Sequence, residues 1–214
     1  RPGSGIRLFD GRGLECSATV CGVDRGTVEV EVTDVRPGCP ESPLAIVLEQ
    51  GIGKGERMDW SIQKAVELGV SAIRPLFTER TVVRLTGPRL QRRVEHWQGV
   101  LRSACEQSGR CHLPVLQPAI ALSAYWAAPG HPADALALVL DPRATLGLAD
   151  LAQGRRPAAV HVLIGPEGGL SDAELAAAGE AGYRGVRLGP RVLRTETAGV
   201  VALAALQTLW GDLG

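Results

Sequence analysis

Apolar and polar positions change their rhythm once along this chain. Over residues 5–36 they mostly alternate: "GIRLFDG", "LECSATVCGV" and "TVEVEVTDV" are separated by Asp-Gly and Asp-Arg-Gly turns. A period of two marks strands with one covered face, so this stretch predicts a small β-meander. Three strands leave an open edge and the chain opens on Arg1, so a further strand ahead of them is expected. "RPGCPESP", residues 36–43, is rich in Pro and Gly and reads as a linker.

From Leu44 onward, short unbroken apolar runs alternate with helical patterns. "LAIVLEQ" predicts a buried strand, "ERMDWSIQKAVELG" a helix closed by Gly69, and "VSAIRPLF" the next strand. A long helix is expected from about Arg89 to Gln107, with Val94, Trp97, Val100, Leu101 and Ala104 on one side. After a stretch rich in Ala and Pro come "ALALVLD", a short helix near residues 146–152, "AVHVLIG", a helix from Ser171, "GVRLG", and a last helix ending about Trp210. Apolar strands separated by helices imply an α/β fold, a mostly parallel sheet covered on both faces, although periodicity does not give the strand order.

Composition narrows the class. With 214 residues, 45% apolar and 21% charged, the chain is able to bury a core and does not look disordered. No apolar run approaches the ~20 residues of a membrane helix, and no secretory leader pattern is visible. The five cysteines are an odd set without a C-x-x-C pair, which argues against a disulfide framework or a zinc ribbon and for a reducing cytoplasm. Cys105, Cys111 and His112 lie close in sequence but lack a second ligand pair, so they read as free thiols and no metal is expected. Net charge is zero, yet Arg74, Arg80, Arg84, Arg89, Arg92, Arg93, Arg102 and Arg110 fall in one segment with only Glu79, Glu95 and Glu106 in return. That pattern fits either a phosphate-facing surface or a solvated helix face.

Chemistry in open α/β sheets sits beyond the carboxyl ends of strands. Three such ends are suited to it: "VLDPR" at Asp141, "LIGPEGG" at Gly165 and "LGPRVLRTETA" at Gly189. Each Gly-Pro turn alone reads as a tight connection; two of them, with Glu167, Arg194 and Glu196 at their rims, point to a site. Ser171 and Glu174 form a capping box that starts the helix after the first turn. A rival is "VLEQGIGKGE", whose Gly51, Gly53 and Gly55 approach the glycine-rich turn of Rossmann-type enzymes, though without the ending of a P-loop. His96, His112, His131 and His161 have no nucleophile motif near them, and no G-x-S-x-G occurs, so a hydrolase triad is not expected. His161, inside an apolar strand, reads as a core histidine.

"LIGPEGGLSDAELAAAGEAGYRGVRLGPRVLRTETAGVVAL" resembles the carboxyl-terminal signature of the bacterial 16S ribosomal RNA uracil-N3 methyltransferases, a family of the SPOUT class. "KGERMDWSIQKAVELGVSAIRPLFTERTVV" and "ACEQSGRCHLP" are similar to earlier segments of the same family, in the same order. The resemblance implies a PUA-like β-barrel over residues 1–40, incomplete at its start, and a SPOUT methyltransferase domain over residues 41–214 with a carboxyl-terminal trefoil knot, one of the rare exceptions to unknotted chains. It implies S-adenosylmethionine as cofactor, a homodimer with shared active sites, 16S ribosomal RNA of the small subunit as partner, and methylation of uracil N3. Leu170 departs from a common Phe, and Gly199 with Val200 from an alanine-rich helix opening.

On that resemblance the donor pocket falls to Leu140, Ile164, Gly165, Pro166, Glu167, Gly169, Leu188, Gly189, Val192, Leu193, Thr195 and Thr197. Arg194 is expected to stabilise negative charge on the uracil, Glu196 to orient Arg194 or take part in proton removal, and Glu167 to favour the donor's cation. Lys54, Arg80, Arg84 and Arg110 are the expected RNA contacts. Two other functions stay open at this point: a catalytically silent RNA-binding protein of the same fold, and a Rossmann-type nucleotide-binding enzyme using Gly51, Gly53 and Gly55.

Overall fold

β-branched and apolar runs too short for helices become strands here, and the longer amphipathic stretches between them become helices. The computed structural model describes all residues except 128–131, 133 and 153, so His131 lies outside the described residues. Two compact units are distinguished: Arg1–Glu41 with Cys105–Leu113, and Ser42–Ala104 with Pro114–Gly214.

The first unit is an antiparallel sheet of β1 (Gly5–Phe9), β2 (Leu14–Asp24) and β3 (Thr27–Pro37), in that order. Register shifts between Ser17 and Ala18 and between Val20 and Gly22 bend the β2–β3 ribbon. The returning segment 105–113 is tied into this unit by Gly13 N–H to the Cys111 carbonyl at 3.1 Å and Leu113 N–H to the Gly11 carbonyl at 3.0 Å.

The second unit holds β4 (Ala45–Gly51), α1 (Arg57–Glu67), β5 (Ala72–Phe77), most of α2 (Gly87–Ser108), β6 (Val115–Leu116), β7 (Ile120–Ala121), α3 (Leu122–Tyr125), β8 (Ala135–Leu140), α4 (Leu148–Leu151), β9 (Ala159–Ile164), α5 (Asp172–Glu180), β10 (Arg184–Val186) and α6 (Thr195–Trp210). Every strand pair in its sheet is parallel, in the order β10-β8-β9-β4-β5-β6, with β7 also on β5. The expected strands and helices recur with small shifts at their ends. Missing from the expectation are β6, β7 and α3, which are too short for periodicity to show and are interrupted by Pro114 and Pro118.

Alternate side chains of the strands cover the two faces. On one, Leu76, Ala137, Val139 and Leu163 pack with Leu122, Leu170, Ala178 and Tyr183. Glu49 lies on this same face and is fully buried. The hydroxyls of Tyr183 and Tyr125 donate to its carboxylate at 2.5 and 2.6 Å, and His161 Nδ1 lies 2.8 Å from it. Burial pushes this carboxyl up, but the bonds from His161, Tyr125 and Tyr183 outweigh it and hold Glu49 below its ordinary value. On the other face, α1 and α6 cover Ile46, Leu48, Val160 and Val162, with Ile62, Val66, Leu203 and Leu206 buried between them. No described helix is long and apolar enough to cross a membrane.

Candidate active site

The two Gly-Pro turns end neighbouring parts of the sheet. β9 stops at Ile164 and feeds "GPEGG"; β10 stops at Val186 and feeds "LGPRVLR" into α6. β8, which lies between β10 and β9, ends at Leu140 beside them. A cavity of about 780 Å³ opens at these carboxyl ends. Its apolar lining includes Leu140, Ile164, Leu188, Val192 and Leu193, and its charged lining includes Glu167, Arg194 and Glu196.

The first wall is held by backbone. A Cβ on Gly165 would stand 2.7 Å from the Gly169 carbonyl carbon, so only glycine lets the turn close this tightly. Ser171 Oγ accepts from Glu174 N–H at 3.1 Å while the Glu174 carboxylate accepts from Ser171 N–H at 2.9 Å, completing the expected capping box. The other Glu174 oxygen accepts from Glu79 N–H at 2.9 Å, which fastens the loop after β5 to this helix.

Most of the residues expected at a donor pocket converge on this cavity. Gly165, Pro166, Glu167, Gly169, Gly189 and Thr195 line it with the residues already named; Thr197 does not. Thr195 is buried, and its hydroxyl donates to the Gly165 carbonyl at 2.6 Å, so it joins the second turn to the first. Arg194 is the N-cap residue of α6 and is exposed; among the described residues its side chain has no ion pair or hydrogen bond. Glu196, expected beside Arg194, instead faces Arg57: Oε1 lies 3.9 Å from Arg57 Nε, and the buried Oε2 has no hydrogen-bond partner.

Arg57 is the residue that sequence reasoning missed. Its Nη1 lies 2.5 Å from Glu167 Oε1, and Lys54 N–H donates to the same oxygen at 2.8 Å. Burial pushes the Glu167 carboxyl up, but Arg57 and the backbone donors bring it below its ordinary value, and Glu167 in turn raises Arg57. A signal was present: Arg57 stands at the first position of a helix, where the dipole disfavours a cation, so its partner had to lie elsewhere. Asp141 and Arg143 also line the cavity, paired at 3.3 Å, with Arg143 reaching Asp172 at 2.9 Å.

The expected RNA contacts divide between the two units. Lys54 and Arg84 are exposed, and Arg80 lines the cavity with Nη1 donating to the Gly168 carbonyl at 2.8 Å. Arg110 belongs to the other unit, where its guanidinium pairs with Glu41. In the Arg-rich segment Arg74 also turns inward, lying 4.4 Å from the centre of the Tyr125 ring, while Arg84, Arg89, Arg92 and Arg102 are exposed. Gly51, Gly53 and Gly55 line no part of the cavity; Gly51 and Gly53 are buried against neighbouring chain, which leaves no cradle for a nucleotide. Among the described residues no group of three His, Cys, Asp or Glu is placed to hold a metal ion.

A family profile described as RNA methyltransferase domain matches residues 40–207. The chain belongs to this RNA methyltransferase family. Among its methyltransferase relatives, Ribosomal RNA small subunit methyltransferase E of Buchnera aphidicola is 34% identical, over 97% of this chain and 83% of the relative. The protein of that name from Mycobacterium bovis is also 34% identical, over 98% and 80%. A crystal structure of the Neisseria gonorrhoeae methyltransferase bound to S-adenosyl methionine superposes with a TM-score of 0.90 at 40% identity, covering all of this chain and 86% of that one. A Legionella pneumophila methyltransferase in complex with the same cofactor gives 0.91 at 39% identity, again over 100% and 86%. The family assignment and these relatives favour neither a silent RNA-binding protein nor a Rossmann-type enzyme.

Proposed function

We infer that this protein is an S-adenosylmethionine-dependent methyltransferase of 16S ribosomal RNA, and we propose uracil N3 as the atom methylated. The observation that carries the reading is the cavity walled by both Gly-Pro turns, in a chain 40% identical to a relative crystallised with S-adenosyl methionine. Its volume of about 780 Å³ lies within the roughly 300–1,000 Å³ of small-molecule and cofactor sites. Leu140, Ile164, Leu188 and Leu193 offer apolar surface to an adenine, and Glu167 and Glu196 offer negative charge to a cation.

When bound, S-adenosylmethionine supplies an electrophilic methyl group on a positively charged sulfur. The chain's own task is to position the acceptor and manage its proton. Uracil N3 is protonated at neutral pH, so negative charge develops on the ring as it reacts. Arg194, exposed at the mouth of the cavity and always charged, directs its forked donors to O2 or O4 as that charge appears. Glu196, with one carboxylate oxygen lacking a partner, accepts the N3 proton. Backbone groups of Ile164, Gly165, Gly169, Leu188, Gly189 and Leu193 hold the donor, and Glu167 favours its cationic end. Thr195 pins the walls from inside, and Thr197 acts through the start of α6.

Finer features of the family belong to the same proposal. We place a trefoil knot in the carboxyl-terminal segment that carries both turns. We read residues 1–40 as part of a PUA-like barrel that grips RNA, supported by the β1–β3 sheet, and residues 41–214 as the SPOUT domain. A second copy completes the site as a homodimer; Val192, 81% exposed at the cavity, is the apolar surface such a copy would cover. Lys54, Arg80, Arg84 and Arg110 contribute to the RNA grip, and the activity is cytoplasmic because ribosomal RNA is. The test is to supply purified protein with S-adenosylmethionine and either naked 16S RNA or small subunits, then map methylated uridines by mass spectrometry. N3-methyluridine on either substrate is expected; its absence from both overturns the reading.

A further inference from the structure

The segment "QGIGKGER", residues 50–57, contributes only Arg57 to the cavity lining, yet it touches both walls. At its inner end Gln50, 1% exposed near the end of β4, donates from Nε2 to Thr195 Oγ1 at 3.0 Å. Thr195 passes the link to the Gly165 carbonyl, so one hydrogen-bonded chain runs from β4 through the start of α6 to the turn after β9. Next along the chain, a Cβ on Gly51 would stand 2.5 Å from Pro166 N; the strand end is seated directly on the Gly-Pro turn. At the outer end Lys54 N–H and Arg57 both hold Glu167, and Arg57 alone faces Glu196.

We propose that residues 50–57 form a brace whose ends, Gln50 and Arg57, are positioning residues: they set the spacing of the two Gly-Pro walls and hold Glu167 and Glu196 in place. The proposal rests on the methyl-donor reading of the cavity. Two carboxylates at one rim repel each other, and a guanidinium between them removes that repulsion while its planar fork fixes direction as well as charge. The other charged groups lining the cavity are Arg80, Asp141, Arg143, Asp172, Arg191 and Arg194. Of these, Asp141 and Asp172 are joined to Arg143. Arg80 is bonded to the Gly168 carbonyl, which leaves Arg57 as the cation in contact with both glutamates.

Three variants test the brace: Arg57→Ala, Arg57→Lys and Gln50→Leu. Each is checked by thermal melting, then by calorimetric donor affinity, by single-turnover methylation, and by NMR titration of the Glu167 carboxyl in the free protein. Arg57→Ala is expected to lower the single-turnover rate about 10²-fold, as a misplacement of about 1 Å does, with a much smaller loss of donor affinity. The Glu167 carboxyl titration is expected to rise, because the guanidinium that lowers it is gone. Arg57→Lys restores the titration but not the rate, because an ammonium cannot fork between two carboxylates. Gln50→Leu slows transfer without moving the Glu167 titration. The brace is overturned if Arg57→Ala keeps the wild-type rate and titration, or if its rate loss comes with an equal loss of melting stability and no change in titration. Wild-type protein that binds no donor overturns the methyltransferase reading instead. The carboxyl titration, which needs no donor, still decides for or against Arg57.

Discussion

Arg194 and Glu196 stand two positions apart, yet they face different surroundings. Arg194 stands at the N-cap position of α6 without a side-chain capping bond and is exposed, whereas Glu196 is mostly buried and turned toward Arg57. Their contributions therefore separate in kinetics. Arg194→Ala is expected to cut turnover by about 10²–10³-fold, the usual cost of losing a group that stabilises developing charge, while donor affinity by calorimetry stays near wild type. Equal loss of both would assign Arg194 to donor binding. Glu49 is a residue-scale case of another kind, a fully buried carboxylate far from the cavity rim in chemistry but central to the sheet. Its folded pKa is held below the ordinary 4.5, so its stabilising contribution is complete above that value and drains as pH falls through the lower folded one. Glu49→Gln is expected to lower unfolding free energy by about 2–3 kcal/mol at pH 7, the scale of lost hydrogen bonds to a charged group. Urea unfolding at about pH 3.5 should show a smaller difference between variant and wild type, and an equal difference would remove the charge from the explanation.

At the scale of elements, the local chemistry of caps and turns was readable and the partners of polar strand residues were not. Ser171 and Glu174 form the expected capping box because both partners lie within one turn of α5. By contrast, "LEQG" ends an apolar strand on two polar residues with no local reason for either. Packing supplies the reason: Glu49 points to the α3 and α5 face, and Gln50 to α6. Helix α6 also contains Gly199, where the family resemblance leads one to expect alanine. A Cβ there would meet Ile164 Cδ1 at 3.4 Å, an ordinary contact, and its φ is not left-handed. Gly199→Ala is therefore expected to stabilise the protein by about 0.5–1 kcal/mol, the helix-interior penalty of glycine, read as a raised urea midpoint. A lowered midpoint would mean that Ile164 and Gln50 cannot yield to an added methyl.

At the scale of the molecule, donor binding and folding are linked because the cavity is assembled from three strand ends and α6. A ligand that binds only the folded chain adds about 2.7 kcal/mol at one hundred times its dissociation constant. S-adenosylmethionine at that excess should raise the melting temperature by several degrees in scanning calorimetry, and an unchanged melting curve would contradict the cavity as its site. The same link makes the brace visible at this scale. Arg57→Ala should keep its unliganded melting point and lose only the part of the rise that follows from weaker donor binding.

What the chain determined by itself was whatever is written within a few residues or within a long compound motif. Alternation gave way to helix periods at Leu44, Gly-Pro turns followed apolar runs, and the segment from Leu163 carried the family resemblance. The tertiary structure alone decided the strand order β10-β8-β9-β4-β5-β6 and with it which strand ends meet. It decided that Arg57 reaches Glu167 across 110 positions and Gln50 reaches Thr195 across 145. Periodicity reports which face of an element is buried, never what lies against it; a polar group's distant partner is chosen by how the sheet is threaded, so it becomes visible only once the strands are side by side.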